Sequence, residues 1–319
     1  MIATPSRATT RLLLLLAAAA TAVPARVAAQ ELAPERAEWT EDDWRLFEEK
    51  VRWAEARRLD TLDAGAAAAR LGETFLGTPY RPGTLEGPAP ERLVVNLREL
   101  DCVTFVENVL ALLRFARADG VAALADSAAA RRRFESYLRA LRYRDGTVAG
   151  YGSRLHYFSE WMSQAERAGW ISPVALPGAE DDAAPIDFMS RHAQLYPALA
   201  DSGAAATVAS AEARLSAGPP RRVVPKEAVA AAAPLLRDGD VVAVAATTAG
   251  LDVVHTGFAL WRDGALHLMH APLVGRSVEV SALPLADRLL GIATQRGITV
   301  ARPLPAPGPS RSDAVPPSR

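Results

Sequence analysis

Apolar residues recur at three- and four-residue spacing through the first half of the chain and alternate, or run together, in the second half, a pattern that predicts helices first and strands later. Thr40, followed by Glu41, Asp42 and Asp43 and then by Trp44, Phe47 and Val51, reads as a capped amphipathic helix, and Thr61 to Phe75 reads as a second. The turn residues of Gly77-Thr78-Pro79-Tyr80-Arg81-Pro82-Gly83 break the helical run and put Tyr80 on a loop. Asp101 is a good N-cap type, and the periodic stretch Cys102-Val103-Thr104-Phe105-Val106-Glu107-Asn108-Val109-Leu110 behind it predicts a helix with Cys102 in its first turn. Further helix is expected over Val121 to Arg142, Ser159 to Ala168 and Ser190 to Ser210, with an irregular loop over Pro173 to Pro185.

Beyond Pro225 the pattern changes. Asp240 to Ala245 reads as a buried strand entered from the turn Arg237-Asp238-Gly239, and Val253 to Trp261 reads as a second. The Asp263-Gly264 pair marks a two-residue hairpin turn, after which Leu266 to Ala271 returns as a third strand. Val278 to Val280 and Ile298 to Arg302 are candidate edges. A helical N-terminal half on an antiparallel C-terminal sheet makes the fold class α+β.

Composition narrows the setting. Residues 1–29 have a basic start, an apolar middle from Leu12 and small residues before Gln30, the signature of a secretory signal peptide and so of an exported, periplasmic or secreted protein. The apolar run is too short for a membrane span, so no stable membrane insertion is expected after cleavage. Removing residues 1–29, which hold Arg7, Arg11 and Arg26 and no acid, takes the formal charge from −1 to −4 and argues against nucleic acid as a partner. Residues 30–302 then form one domain, and the Pro- and Ser-rich 303–319 reads as a disordered tail.

Cys102 is the one cysteine, so an exported chain would carry a thiol with no intramolecular disulfide partner. In the first turn of a helix, the dipole and the unpaired N–H groups favour thiolate, which makes a nucleophile; the alternative is a buried apolar thiol. A cysteine nucleophile needs a base and a group to orient it, and five histidines are available: His156, His192, His255, His267 and His270. A two-residue turn at Asp263-Gly264 puts Gly257 opposite His270 and His255 opposite Pro272. His255 and His270 then share one face at Cβ separations of about 7 Å, and His267 lies on the other. A three-residue loop would reverse the faces. Gly257 favours the first register because it leaves room for a ring. A zinc site from His255, His267 and His270 is the rival chemistry, and strand alternation weakens it.

Several blocks, in this order, carry a resemblance: Leu76-Gly77-Thr78-Pro79-Tyr80, Asp101-Cys102-Val103-Thr104-Phe105-Val106-Glu107, Tyr151-Gly152-Ser153-Arg154-Leu155-His156-Tyr157, Asp238-Gly239-Asp240-Val241-Val242, His255-Thr256-Gly257-Phe258 and Leu268-Met269-His270-Ala271. Together they resemble the NlpC-type papain-like cell-wall cysteine peptidases, and more narrowly the N-acetylmuramoyl-L-alanine amidase-like branch. The resemblance implies a papain-like hydrolase fold and a Cys102, His255, His270 triad, with no cofactor. It also implies hydrolysis of the amide between the lactyl group of N-acetylmuramic acid and L-alanine in peptidoglycan fragments, with Tyr80 and the Cys102 N–H holding the oxyanion. Asp101 caps the helix and is a candidate for a polar substrate group. Tyr151 and Arg154 are candidates for sugar and carboxylate contacts, the alternative for Arg154 being a surface ion pair. Cleavage between D-glutamate and the diamino acid, or muropeptide binding without turnover, are the competing functions.

Overall fold

Capping and amphipathic spacing set the first helices. The structure, a computed structural model, describes residues 37–87, 90–274 and 276–305; the signal-peptide reading of 1–29 and most of the proposed tail lie outside these. Helix α1 (Glu41–Ala56) begins with a reciprocal capping box, in which Thr40 Oγ1 accepts from Asp43 N and Asp43 Oδ2 accepts from Thr40 N. The other carboxylate oxygen of Asp43, Oδ1, accepts from Leu97 N at 2.8 Å and from Arg98 Nε at 3.0 Å, tying the start of α1 to the chain that leads into the cysteine. Next come α2 (Ala64–Glu73), capped by Asp63, α3 (Cys102–Ala118), α4 (Ser127–Arg142) and α5 (Phe158–Arg167). A buried ion pair between Glu107 and Arg142, 2.7 Å apart, joins α3 to α4.

The chain then crosses to strands β1 (Ile171–Pro173) and β2 (Glu180–Asp182), turns through α6 (Phe188–Arg191) and α7 (Ser202–Ser216), and re-enters the sheet as β3 (Arg221–Pro225). After α8 (Val229–Ala232) come β4 (Val241–Ala246), β5 (Val253–Arg262), β6 (Ala265–His270), β7 (Glu279–Val280), α9 (Leu285–Leu290) and β8 (Gln295–Pro303). The strand order is β2-β3-β8-β4-β5-β6-β7, with β1 also on β8 and every pairing antiparallel. This is α+β, as expected.

Three expectations need correction. β8 is no edge: it lies inside the sheet, with β4 on one side and β3 and β1 on the other, and it runs through Pro303 into a Leu304 N to Trp170 O bond at 2.8 Å. The stretch Pro173 to Pro185 is not wholly irregular, because β2 lies within it. And the two halves are less separate than the pattern implied, since β1 and β2 come from the middle of the chain.

The sheet has two covered faces. On one, Val241, Ala243, Phe258, Met269, Ala271 and Ala301 pack against α1 to α5, with Phe105 of α3 edge-on to Phe258 at 5.5 Å between ring centres. On the other, Val242, Val244, Ala259, Leu266, Leu268 and Val300 pack against Leu285 and Leu289 of α9. Gly239, with φ +78°, lets α2 touch the turn into β4: a Cβ there would sit 1.8 Å from Gly65 O.

Candidate active site

Cys102 is the first residue of α3, and Asp101 is its cap. Asp101 Oδ1 accepts from Val103 N at 3.0 Å and Thr104 N at 2.8 Å, while Thr104 Oγ1 accepts from Asp101 N at 2.9 Å. Cys102 is half-buried as a residue, and its sulfur, turned inward, has the backbone amides of Thr256, Cys102 and Val103 as hydrogen-bonding neighbours. The expected thiolate does not result. Burial first, and the negative charge of Asp101 second, push the thiol up to about 12, and these outweigh the three amides that pull it down. The resting group is a thiol.

The loop carrying Tyr80 is fastened on two sides. Leu100 N donates to Pro79 O at 2.9 Å and Arg81 N to Leu100 O at 3.1 Å, while Tyr80 N donates to Arg276 O at 2.8 Å and Val278 N to Thr78 O at 2.8 Å. One strap therefore joins the residues before Cys102 to those after His270. Burial first, and then the charges of Cys102 and Asp101, raise the Tyr80 hydroxyl's pKa, and the loop that carries it is bonded to Leu100, just before the α3 cap.

The hairpin has the expected register. Asp263 (φ 49°) and Gly264 (φ 79°) are both left-handed, as a two-residue turn of this kind requires, and Arg262 pairs with Ala265 and Phe258 with Met269. His255 and His270 consequently lie on the same face, and His255 Nε2 is 2.6 Å from His270 Nδ1, the rings meeting edge to face. Gly257 makes the room: a Cβ there would lie 2.5 Å from Met269 O and 2.9 Å from His270 Cβ. Both imidazoles are held well below the usual histidine range, His255 by burial and then by Arg288, His270 by burial, then by His255 and then by Arg288, so the pair rests neutral. His267 points to the opposite face, where its Nδ1 is 2.8 Å from Ser281 O, and among the described residues no three His, Cys, Asp or Glu side chains converge as a metal site would require.

Alternation along β5 sets where sulfur and imidazole stand relative to the sheet. Thr256 and Phe258 face α3, whereas His255, Gly257 and Ala259 face α9. The β5–β6 pairing ends at Phe258 and Met269, and past that point the Thr256 amide is turned to the Cys102 sulfur. Among the described residues no hydrogen bond runs from the sulfur to either imidazole. What joins them is a single peptide unit, the one between His255 and Thr256.

Arg154 and Tyr151 are placed elsewhere. Arg154 is buried, donating from Nε and Nη2 to Glu91 at 3.0 Å each and from Nη1 to Glu86 at 2.8 Å, with its guanidinium over the Tyr151 ring. Its charge answers two carboxylates of the protein itself, buried Glu91 and exposed Glu86, rather than standing in an ordinary surface pair. The Tyr151 ring lies tilted against that of His156, with 4.4 Å between ring centres. None of these hydrogen bonds reaches Cys102, Tyr80, His255 or His270. A cavity of about 280 Å³ on the α5 side of β4 and β5, lined in part by Ser159, Arg221, Asp252 and Val253, also contains none of the predicted site residues.

Sequence reasoning missed Glu279, opposite His270 in the β6–β7 pairing, and Arg288 on α9. Only a knowledge of how the chain returns from β6 could have found them. The fold so assembled has known counterparts. Residues 70–294 match the AmiA-like, N-acetylmuramoyl-L-alanine amidase-like family. The chain belongs to that family. A crystal structure named N-acetylmuramoyl-L-alanine amidase, from Bacteroides uniformis, is 35% identical with a TM-score of 0.67 and covers 76% of this chain and 99% of its own. A Bacteroides fragilis protein provisionally named a xylanase is 35% identical, with a TM-score of 0.64 over 72% of this chain and 98% of its own. A Legionella pneumophila protein, 18% identical with a TM-score of 0.59 over 82% of this chain and 95% of its own, shares the fold. No curated protein matches. Among the described residues no helix is long and apolar enough to cross a membrane.

Proposed function

We propose that this family member is an exported cysteine amidase of the papain-like type that cleaves the bond between the lactyl group of N-acetylmuramic acid and L-alanine in muropeptides. The observation that carries the reading is the 2.6 Å contact between His255 and His270 on the strand whose next amide is turned to the lone thiol. Membership of an N-acetylmuramoyl-L-alanine amidase-like family supports the choice of bond.

With both partners neutral at rest, attack and proton transfer go together. Cys102 Sγ bonds to the lactyl carbonyl carbon as its proton passes to His255 Nδ1, the nitrogen that His270 leaves free. The oxyanion is held by the Cys102 N–H and the Tyr80 hydroxyl. Collapse of the intermediate breaks the C–N bond, the amine of L-alanine leaving with the proton from His255. Water, giving a proton to the same nitrogen, then hydrolyses the thioester and restores the thiol. His270 keeps the His255 ring oriented and shares its charge while it is protonated.

Mass spectrometry of digested muropeptides, parent beside Cys102→Ala, tests this. The expected product is a peptide with a free L-alanine amino terminus, absent with the variant. L-Alanyl-D-glutamate left on the sugar would make the protein an endopeptidase. Affinity kept by Cys102→Ala, with no turnover by either protein, would make it a binding protein.

A further inference from the structure

The contact between His255 Nε2 and His270 Nδ1 contains one proton, and its owner decides whether His255 can act as a base. If His270 Nδ1 carries it, neutral His255 holds its own proton on Nδ1 and has no lone pair to offer there. If His255 Nε2 carries it, His255 Nδ1 is a lone pair and neutral His270 holds its proton on Nε2. The second arrangement alone suits a thiol proton acceptor, and it puts an N–H at His270 Nε2. That atom is buried, in a side chain only 2% exposed, and has no hydrogen-bond partner. A buried donor left without an acceptor is costly enough to select the wrong tautomer.

Glu279 stands directly across from His270 in the β6–β7 pairing, with its Oε1 3.9 Å from that nitrogen. Its side chain is 42% exposed, so a swing of about 1 Å to hydrogen-bond distance disturbs no packing. Arg288, the cation on this face, interacts with Glu279 and donates to Gln295 Oε1 at 3.1 Å, so the carboxylate sits with a counter-charge. We propose that Glu279 is a positioning residue: its carboxylate accepts the proton-bearing Nε2 of His270, fixes the tautomers of both histidines, and so leaves a lone pair on His255 Nδ1. The proposal rests on the assignment of Cys102 and His255 as nucleophile and base, and it adds a fourth member behind them.

The test uses two readouts on the full mature chain. In the Cys102→Ala background, where turnover plays no part, ¹⁵N-histidine NMR is expected to show both His255 and His270 protonated on Nε2, and both to move to Nδ1 when Glu279→Met is added. With Cys102 present, Glu279→Met, which keeps length but loses the acceptor, is expected to lower kcat by roughly 10- to 100-fold with KM within about twofold, as for a group that orients a base. Glu279→Gln, which keeps an acceptor oxygen, is expected to stay within about threefold of the parent. Two isosteres that behave alike, or tautomers that ignore residue 279, would overturn the proposal. Undiminished turnover by Cys102→Ala would instead overturn the underlying catalytic assignment, whatever the tautomers.

Discussion

The two faces of the sheet are built from different materials and serve different ends. The face toward α3 is a thick apolar layer in which Phe47, Phe75, Phe105, Phe115, Phe134 and Phe258 are all fully buried. Its task in the site is to hold one helix end, with its cap and its sulfur, against the strand. The face toward α9 is thinner, made of aliphatic side chains without an aromatic ring under a six-residue helix, and it ends in a polar cluster of His255, His270, Glu279 and Arg288. Cys102 is therefore held by burial and a helix cap, and His255 by its hydrogen bond to His270. The strand between them carries the join in a single peptide unit.

The sharpest way to break this comparison is to remove the polar side alone. His255→Gln keeps a side chain of similar reach and is expected to lower kcat/KM on the order of 10⁴-fold or more while thermal stability changes little, as enzyme assay and calorimetry will show. A loss below about tenfold would mean that the α9 face contributes no base. The next effect concerns the other side. A thiol pushed up to about 12 is ionised at pH 7 to roughly one part in 10⁵, against one in 10² for a cysteine at the ordinary 9.0. Cys102 is thus expected to react with iodoacetamide about a thousandfold more slowly than free cysteine at pH 7, and tenfold faster with each further pH unit. Rapid labelling at neutral pH would show that an imidazolium already holds the thiolate.

Stability separates the faces less steeply. Phe105→Ala opens a cavity in the thick layer behind Cys102 and is expected to cost about 3–5 kcal/mol by denaturant unfolding. Leu289→Ala is equally buried, but the short α9 can settle toward the sheet, so its cost belongs near the lower end for such changes, about 2 kcal/mol. Equal costs would mean that α9 is as firmly seated as the N-terminal helices.

What the chain revealed before folding, and what it withheld, follows the same division between local and distant causes. The hairpin was legible because Asp263-Gly264 demands one turn and period-two alternation does the rest. The Asp101 cap and the place of Cys102 in the first turn were legible for the same local reason. β2 was not. Glu180, Asp181 and Asp182 are poor strand formers, and they become a strand because Arg221 and Arg222 of β3 lie across from them, each in an ion pair of 2.7 Å. β8 was mistaken for an edge because it carries Arg296 and Arg302, whose charges are met by Asp182 and by Asp240, residues far away in the chain. The thiol's protonation was misjudged because the helix dipole is local whereas burial is tertiary, and burial is larger here. Glu279 was invisible because no turn motif sets the length of the loop that returns it to His270.

The smallest effect joins both regions through pH. His156, His255 and His270 are all held neutral by burial, His156 down to about 3, against an ordinary 6.5. Below 6.5 the unfolded chain takes up protons that the folded chain refuses, so it binds more of them, and stability must rise with pH across this window. The folded protein is accordingly expected to lose thermal stability as pH falls from 7.5 to 5.0, before the carboxylates titrate. His156 supplies the comparison, because its Nε2 is bonded to Tyr151 O at 2.9 Å in the cluster away from the thiol. His156→Gln keeps a donor for that carbonyl and removes one buried base. It should flatten the dependence of melting temperature on pH while leaving the acid limb of turnover, which the proposed mechanism assigns to His255 and His270, where it was. If His156→Gln moves the acid limb of turnover as well, the two regions are coupled, and the division between a structural cluster and a catalytic one does not hold.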